Sequence, residues 1–313
     1  MKTYILDPIS EEALAYARKQ LEIVTWNDPA IQVVSEAEAI IVRTYTIDKK
    51  MIDQMPKLRI IAKHGVGTDN IDISYAVSKG IIVTNTPKAN SNSVAELIIG
   101  LILDCAHKIT ASHCACMQGL KKNQPMFLSG QEISGKRAGL IGIGHIGAIV
   151  GRRLQAGFDM QVLAYDSFLG KVATEAMGFA YTEEIEDIYR TCDVISISVP
   201  LNDQTRDMIQ EAQLRMCKRE AILVNASRGG IINEAALCRA LSEHVIYGAA
   251  IDAFAAEPVP QDHELFRQFN FVGTPHNGAN TRDALIQMGM AAVDEIVRVQ
   301  KGRPTLTHVG YSI

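Results

Sequence analysis

Short apolar runs alternate with helical patterns along the first hundred residues of the chain. The strand-like runs occupy residues 3–6, 40–42, 58–62 and 81–84. Residues 11–19 and 73–78 instead repeat apolar positions every three or four residues, which predicts amphipathic helices. Because strands that alternate with helices are typical of βαβ units, we predict a small parallel α/β domain in this region.

A second series of strand-like runs begins near residue 137. These runs occupy residues 138–143, 161–165, 194–199, 221–225, 247–252 and 270–273. Helical stretches separate them, which predicts a doubly wound parallel sheet. Residues 121–135 are predicted to form a loop, and residues 284–300 one more amphipathic helix.

The short tail after that last helix is too short to form a domain of its own. We therefore expect it to return to the first domain. The prediction is a discontinuous first domain, residues 1–97 with 284–313, into which a second domain, residues 98–283, is inserted.

Composition and charge narrow the classes of protein to consider. The 313 residues amount to about two domains. A hydrophobic fraction of 47% excludes a disordered chain, and 31 scattered basic residues against 35 acidic ones make a nucleic-acid partner a poor candidate. The longest nearly uncharged apolar stretch, residues 138–151, is shorter than a membrane span, and early acidic residues argue against a secretory signal. We expect a cytoplasmic protein.

The cysteines and histidines predict neither disulfides nor a metal site. The chain has six cysteines, without the density of a secreted disulfide framework, so reduced thiols are expected. His113, Cys114 and Cys116 lie close together, with His107 six residues before His113. They lack two ligand pairs at the spacing of a zinc site, so we expect no metal.

A glycine-rich turn follows the predicted strand 138–143 and opens a helix. Gly142 would allow a tight turn, Gly144 would remove a side chain where the backbone meets a pyrophosphate, and Gly147 would allow close helix packing. The N-terminus of the helix supplies N–H groups and a positive dipole end, which bind phosphate. The pattern predicts a dinucleotide site, although a methyltransferase that binds its nucleoside with a similar loop is an alternative.

Asp166 ends the next predicted strand, 19 residues beyond Gly147. A carboxylate at this distance accepts hydrogen bonds from the adenosine ribose hydroxyls and repels a 2′-phosphate. Ser167 and Phe168 follow, so no arginine is present to receive that phosphate. We therefore predict NAD rather than NADP; the alternative is an ordinary turn aspartate.

Three later segments each end a predicted strand with a reactive side chain. They are residues 225–230 (NASRGG), 252–258 (DAFAAEP) and 274–279 (TPHNGA). Because the carboxyl ends of parallel strands open on one crevice, we expect Arg228, Glu257 and His276 to converge there. Taken singly, each has an ordinary interpretation: a solvated arginine, a loop charge and a structural histidine.

Together these motifs resemble the D-specific 2-hydroxyacid dehydrogenase family, within it the phosphoglycerate dehydrogenase-like branch. The similarity also includes HGVGTDNID and NSVAELIIG upstream and VPLNDQTRDMI, and it covers essentially the whole chain. It implies a Rossmann dinucleotide domain inserted into a smaller flavodoxin-like α/β substrate domain. It also implies NAD as cofactor, a small 2-hydroxy or 2-oxo acid as substrate and a homodimer.

The resemblance also implies roles for single residues. His276 would be the acid/base, Glu257 its orienting partner and Arg228 the clamp on the substrate carboxylate and 2-oxo oxygen. The backbone N–H groups of Val66 and Gly67 would also bind the carboxylate. The implied cofactor contacts beyond the three glycines and Asp166 are His145, Ile146, Pro200, Thr205, Ala226, Ser227, Asp252, Gly278 and Ala279.

Arg43 ends a predicted strand, and Lys63 and His64 lie beside the carboxylate-binding turn. A strand end in a parallel sheet opens toward the ligand, so these cations are predicted to meet a second anionic group on the substrate, as in phosphoglycerate. The alternative is that Arg43 pairs with a surface acid.

Two further hypotheses remain open. A nucleotide-sensing protein such as a corepressor of the same fold is the main alternative, although peptide-docking surfaces and tails are not evident. A scaffold without activity is less favoured, because all three reactive groups are present. The sequence stops at Ile313, without the regulatory extension of longer phosphoglycerate dehydrogenases, so we expect no amino-acid feedback through such a domain.

Overall fold

The computed structural model describes residues 1–119 and 128–310, and the chain folds as two compact units. The first unit comprises Met1–Ser93 and Ala279–Ile313, and the second comprises Val94–Gly278. Within the described residues, no helix is long and apolar enough to cross a membrane. Of the predicted loop 121–135, residues 121–127 lie outside the described part of the chain.

Strands and helices alternate along the chain. The strands are β1 Lys2–Ile5, β2 Glu22–Thr25, β3 Ala39–Val42, β4 Ile60–Lys63, β5 Ile82–Thr84, β6 Arg137–Ile141, β7 Gln161–Tyr165, β8 Ala180–Tyr181, β9 Val194–Ile197, β10 Ile222–Asn225, β11 Gly248–Ile251 and β12 Phe271–Gly273. The α-helices are α1 Glu11–Arg18, α2 Lys49–Asp53, α3 Ile73–Ser78, α4 Ser91–His107, α5 Ile109–Met117, α6 His145–Phe158, α7 Lys171–Ala176, α8 Ile185–Thr191, α9 Glu211–Met216, α10 Glu234–Ser242 and α11 Arg282–Gln300.

The first unit is built on a parallel sheet with the strand order β2-β1-β3-β4-β5. Neighbouring residues of a strand point to opposite faces of the sheet. Ile41 packs on the face that carries α1 and α11, whereas Ile40 packs in the core on the other face, and both are buried. This burial on both faces explains why the strands read as continuous apolar runs.

The second unit is built on a larger parallel sheet with the order β12-β11-β10-β9-β6-β7-β8. The order reverses next to β6, as it does in a doubly wound sheet. The parallel α/β fold expected from the sequence is therefore confirmed.

The ends of six strands lie level across this second sheet. Ile141 of β6 pairs with Tyr165 of β7 and with Ile197 of β9. On the other side, Asn225 of β10 pairs with Ile197 and Ile251, and Ile251 pairs with Gly273 of β12. The loops that begin at residues 142, 166, 198, 226, 252 and 274 therefore leave the same edge of the sheet.

The structure differs from the sequence-based elements in several places. Two strands, β2 and β8, were not predicted, since each is short and partly polar. Strand β6 ends at Ile141 instead of residue 143, because Gly142 turns the backbone to φ +88°. The largely apolar pattern of residues 94–109 is typical of one continuous helix, but Lys108 adopts a left-handed conformation and divides this stretch into α4 and α5.

Candidate active site

The glycine-rich turn joins β6 to α6. Gly142 has positive φ, and a Cβ on Gly147 would lie 2.1 Å from the Gly142 carbonyl oxygen. The helix can approach the turn this closely only because residue 147 lacks a side chain. A Cβ on Gly144, in contrast, would meet open space. Gly144 is the N-cap of α6, and among the described residues no side chain caps the helix there.

The Asp166 carboxylate is bound to the backbone around this turn. Its Oδ2 accepts a hydrogen bond from the Ile143 N–H at 2.9 Å. Its Oδ1 accepts hydrogen bonds from the N–H groups of Phe168 at 2.9 Å and Leu169 at 3.0 Å. The carboxylate is therefore held in place beside the glycine-rich turn.

A cavity of about 620 Å³ lies at this edge of the sheet. Its lining includes five of the predicted cofactor residues, namely Gly142, Gly144, Asp166, Pro200 and Thr205. The Thr205 hydroxyl donates to the Pro200 carbonyl at 2.6 Å, which holds the loop after β9 in a compact turn. His145 and Ile146 are the first two residues of α6, and both are at least partly exposed.

Asn225 organises the loop after β10. Its Oδ1 accepts hydrogen bonds from the N–H and hydroxyl of Ser227, at 3.1 and 2.6 Å. Its Nδ2 donates to the Arg228 carbonyl at 2.8 Å. The side chains of Ala226, Ser227 and Arg228 are half-buried, and the Arg228 Nη1 donates to the Ser227 carbonyl at 2.7 Å.

Asp252 is buried at the end of β11, where it holds the neighbouring turn. Its side chain is buried, and its Oδ1 accepts hydrogen bonds from the Thr274 hydroxyl at 2.6 Å and the Asn277 N–H at 2.7 Å. Its Oδ2 accepts from the Gly278 N–H at 2.9 Å. Among the described residues, the hydrogen bonds of the Asp252 carboxylate are therefore with the turn 274–278, a role that the sequence did not indicate.

That turn presents His276 to Glu257. The backbone of His276 is left-handed, with φ +53°, and its N–H donates to the Asp252 carbonyl at 2.7 Å. The ring Nδ1 lies 2.9 Å from Glu257 Oε2 and 3.1 Å from Oε1. Since a carboxylate only accepts hydrogen bonds, the proton between them is on Nδ1. The Nε2 atom is then the ring nitrogen that can take or give a proton.

In the first unit, the turn after β4 has two backbone donors. Gly65 is held by Thr86, whose Oγ1 accepts from the Gly65 N–H at 3.1 Å. The Val66 carbonyl accepts from the Asn85 side chain at 2.8 Å. Within residues 1–119 and 128–310, the N–H groups of Val66 and Gly67 have no acceptor. They can therefore donate to a ligand.

Arg43 follows β3 at the same edge of the first sheet. Its N–H donates to Asp7 Oδ2 at 2.6 Å, and its carbonyl accepts from the Lys63 Nζ at 2.6 Å. Burial raises the pKa of Asp7, but hydrogen bonds from Thr44 and the backbone outweigh this effect and hold the pKa below its usual range. The charged Asp7 and Lys63 together fix the backbone that carries Arg43.

His64 and Lys63 are buried beside the turn after β4. His64 is 2% exposed, and its Nε2 lies 3.2 Å from the Leu285 carbonyl on α11. Burial, followed by the nearby Arg43 charge, lowers the pKa of His64, so the ring is neutral. Lys63 is also buried, with its Nζ on Arg43 and Asn70. In this structure neither side chain is exposed to meet the predicted anionic group as a cation, and of the three residues only Arg43 is partly exposed.

Acid is expected to destabilise the protein partly through His64. In the unfolded chain, His64 takes up a proton once the pH falls below its usual pKa of 6.5. In the folded protein the pKa is lower, so His64 stays neutral to lower pH. The unfolded state therefore binds more protons, and the free energy of unfolding falls as the pH falls. His64→Gln should therefore lose less stability than the unmutated protein between about pH 7.5 and about pH 5.5 in urea unfolding. His107→Gln, at an exposed position, is the control; equal pH dependence of all three proteins would contradict the expectation.

Of the groups considered for a metal, His113, Cys114 and Cys116 are on α5, whereas His107 is the last residue of α4. Cys114 and Cys116 are exposed free thiols. In the part of the chain that the structure describes, no group of three or more His, Cys, Asp or Glu side chains could hold a metal ion.

Comparison with known proteins decides the family. Residues 99–278 match the family model described as D-isomer specific 2-hydroxyacid dehydrogenase, NAD binding domain. The chain belongs to the D-isomer specific 2-hydroxyacid dehydrogenase family. The resemblance to this family and the expected NAD cofactor are thereby confirmed. Similarity to D-3-phosphoglycerate dehydrogenases confirms the phosphoglycerate dehydrogenase-like resemblance.

Individual members of the family support this assignment along the whole chain. The chain is 37% identical to the D-3-phosphoglycerate dehydrogenase of Methanocaldococcus jannaschii, over 96% of its own length but 58% of that protein. It is 33% identical to the glyoxylate reductase of Korarchaeum cryptofilum, over 96% of its own length and 93% of that protein. The D-lactate dehydrogenase of Aquifex aeolicus, solved with NAD and lactic acid, has a TM-score of 0.84 at 26% identity and full coverage of both chains.

Proposed function

We propose that the protein is an NAD-dependent oxidoreductase that interconverts a D-2-hydroxy acid and its 2-oxo acid by hydride transfer. The observation that carries the proposal is the His276–Glu257 pair, at 2.9 Å, on the sheet edge that also bears the glycine-rich turn and Asp166. The oxidation of a secondary alcohol by NAD requires a group that takes the hydroxyl proton close to the site where the dinucleotide binds.

The residues around the glycine-rich turn fit a dinucleotide. The open space at Gly144 and the uncapped start of α6 suit an anionic pyrophosphate. We propose that Asp166 accepts hydrogen bonds from the adenosine ribose and that Ala226, Ser227, Gly278 and Ala279 adjoin the nicotinamide half. Asp252 would act there through the turn it holds. NADH bound in this way supplies the hydride for reduction of the oxo acid.

His276 would carry the proton of the reaction. With Nδ1–H on the Glu257 carboxylate, the neutral ring presents Nε2 as a base for the substrate hydroxyl. In reduction, the charged ring gives that proton to the oxo oxygen, and the carboxylate stabilises the imidazolium. Glu257 therefore sets both the orientation and the charge of the acid/base.

The substrate carboxylate needs donors in a fixed arrangement. A guanidinium offers two parallel N–H groups that match a carboxylate, which supports Arg228 as the clamp on the carboxylate and the oxo oxygen. We propose that the N–H groups of Val66 and Gly67 also bind the carboxylate, because both lack an acceptor among the described residues.

We further propose that Arg43 binds a second anionic group on the substrate, as in 3-phosphohydroxypyruvate. Its backbone is held by Asp7 and Lys63, so the side chain starts from a fixed position. Its Nη2 lies 3.5 Å from Asn280 Oδ1, and no carboxylate pairs with it among the described ion pairs. The guanidinium can therefore meet an anion without breaking an existing ion pair.

A panel of 2-oxo acids tests the anion subsite. We expect 3-phosphohydroxypyruvate to be reduced with a higher kcat/KM than glyoxylate or 2-oxoisocaproate. Arg43→Ala should lower that ratio about 10- to 100-fold, mainly through KM, since a hydrogen bond to a charged group contributes about 1.5–3 kcal/mol. Arg59→Ala is the control, because Arg59 is an exposed arginine that precedes β4, at the edge of the sheet opposite to Arg43. Higher kcat/KM with 2-oxoisocaproate than with 3-phosphohydroxypyruvate would contradict the anion subsite. An unchanged preference for 3-phosphohydroxypyruvate in Arg43→Ala would contradict it as well.

The corepressor-like alternative finds no support in the comparisons. The relatives compared above are named as dehydrogenases and reductases. If the protein binds NADH but reduces no oxo acid in the panel, the corepressor-like function would be favoured instead. The homodimer and the cytoplasmic location stay predictions.

A further inference from the structure

A second histidine–glutamate pair lies in the same unit as His276 and Glu257. Glu234, the first residue of α10, places Oε2 3.1 Å from the Nε2 atom of His263. The two side chains are 16% and 21% exposed, compared with 39% and 46% for Glu257 and His276. The pair is more enclosed than the proposed catalytic pair, and the sequence motifs did not indicate it.

The other oxygen of Glu234 holds the segment that carries Glu257. Glu234 Oε1 accepts a hydrogen bond from the Ala255 N–H at 2.6 Å. The preceding N–H, of Phe254, donates to Glu257 Oε1 at 3.1 Å. Two consecutive backbone donors are therefore received by two different glutamates, one on α10 and one within the segment.

Both ring nitrogens of His263 have hydrogen-bond partners within the chain. The Leu265 N–H donates to Nδ1 at 3.3 Å, so Nδ1 carries no proton. The ring proton is then on Nε2, where it donates to Glu234. The ring also meets Phe254 edge-on, with centroids 5.6 Å apart. Because both nitrogens have partners within the chain, His263 supports the segment and does not exchange protons with substrate.

The same peptide also lies against the chain beside Arg228. A Cβ on Gly229 would lie 1.9 Å from the Phe254 carbonyl oxygen, so the backbone of residue 229 is in direct contact with the Phe254–Ala255 peptide. A displacement of that peptide would therefore move the backbone next to Arg228 as well as Glu257.

We propose that Glu234 and His263 are positioning residues that hold segment 254–257, and thereby keep the Glu257 carboxylate on His276. The inference rests on the proposed function, since it concerns the same site. It adds a second layer to that site, in which Glu234 acts on His276 only through Glu257.

Glu234→Gln tests the inference. The amide has one oxygen in place of two acceptors, so it cannot serve both Ala255 and His263. We expect kcat for oxo-acid reduction to fall about 10- to 100-fold, as for a displacement of about 1 Å in a catalytic group. The pH above which reduction declines should move toward acid, because the His276 imidazolium is less well stabilised. NADH affinity, followed by fluorescence, should stay unchanged.

Two comparisons separate positioning from a general loss of structure. Glu264→Gln removes an exposed carboxylate next to His263 and should behave as the unmutated protein. In a Glu257→Gln background, Glu234→Gln should cause no further acid shift, because the contact it protects is already lost. An unchanged pH profile in Glu234→Gln, or an equal shift in both backgrounds, would overturn the inference.

A titration of ¹⁵N-histidine-labelled protein by NMR gives the same answer without turnover. The His276 signal should titrate at lower pH in Glu234→Gln than in the unmutated protein, and at the same pH in Glu264→Gln. If the unmutated protein reduces no oxo acid, the proposed function fails, while this titration still tests the positioning. An unchanged His276 titration would refute the positioning even in an active enzyme.

Discussion

His276→Ala is expected to lower kcat for reduction of a 2-oxo acid by about 10²- to 10⁴-fold, the usual contribution of a general acid/base. The ring is 46% exposed at the carboxyl edge of the sheet, and its Nδ1 is bound to Glu257. Removing it takes away the proton carrier but leaves the glycine-rich turn and Asp166 intact. NADH affinity should therefore stay close to that of the unmutated protein. Steady-state kinetics measures kcat, and a fluorescence titration measures the NADH affinity.

His244→Ala is the matched control. His244 is also exposed, belongs to the same unit and has a left-handed backbone, with φ +54° against +53° for His276. Any cost of replacing a histidine in that conformation is therefore present in both variants. If the two variants lose the same activity, or if His276→Ala turns over normally, His276 is not the acid/base.

Asp166→Ala is expected to weaken NADH binding about 10- to 100-fold and to narrow the preference for NADH over NADPH. A hydrogen bond from a ribose hydroxyl to a charged carboxylate contributes about 1.5–3 kcal/mol, and the same charge repels a 2′-phosphate. The carboxylate also accepts from the Ile143 N–H, so part of the loss will come from a looser glycine-rich turn. That part weakens both cofactors equally, and only the ratio of the two affinities reports the ribose contact.

Asp203→Ala removes the same charge from an exposed position in the loop after β9 and is the control for long-range electrostatics. It should leave the ratio of NADH to NADPH affinity unchanged. Comparable affinities for NADH and NADPH in the unmutated protein would contradict the role of Asp166.

The sequence predicted best those features that depend on local backbone chemistry. The turn at Gly142 and the closely packed Gly147 were predictable, because only glycine suits such conformations and contacts. That Glu257 and His276 approach one edge of the sheet was predictable from the rule that the carboxyl ends of parallel strands share that edge. That they pair was implied by the resemblance to the family and not by the topology.

Features that depend on which residues meet across the fold were not predictable. The sequence predicted His64 as a cation beside the carboxylate-binding turn, yet α11, more than 200 residues later in the chain, covers it. Glu234 and His263 lie 29 residues apart, and this spacing does not indicate that the two side chains are in contact. Asp7 binds the backbone of Arg43 because β1 and β3 are neighbours, which the strand pattern alone does not reveal.

The proposed function requires that the chain transfer hydride between NAD and the C2 atom of a D-2-hydroxy acid. The most direct test is to incubate the protein with NADH that carries deuterium at both C4 positions and with the panel of 2-oxo acids, and to analyse the products by chiral chromatography and mass spectrometry. We predict a D-configured 2-hydroxy acid with one deuterium at C2, formed in step with NADH oxidation. An L-configured product, a product without deuterium, or no NADH oxidation with any acid of the panel would contradict the proposed activity.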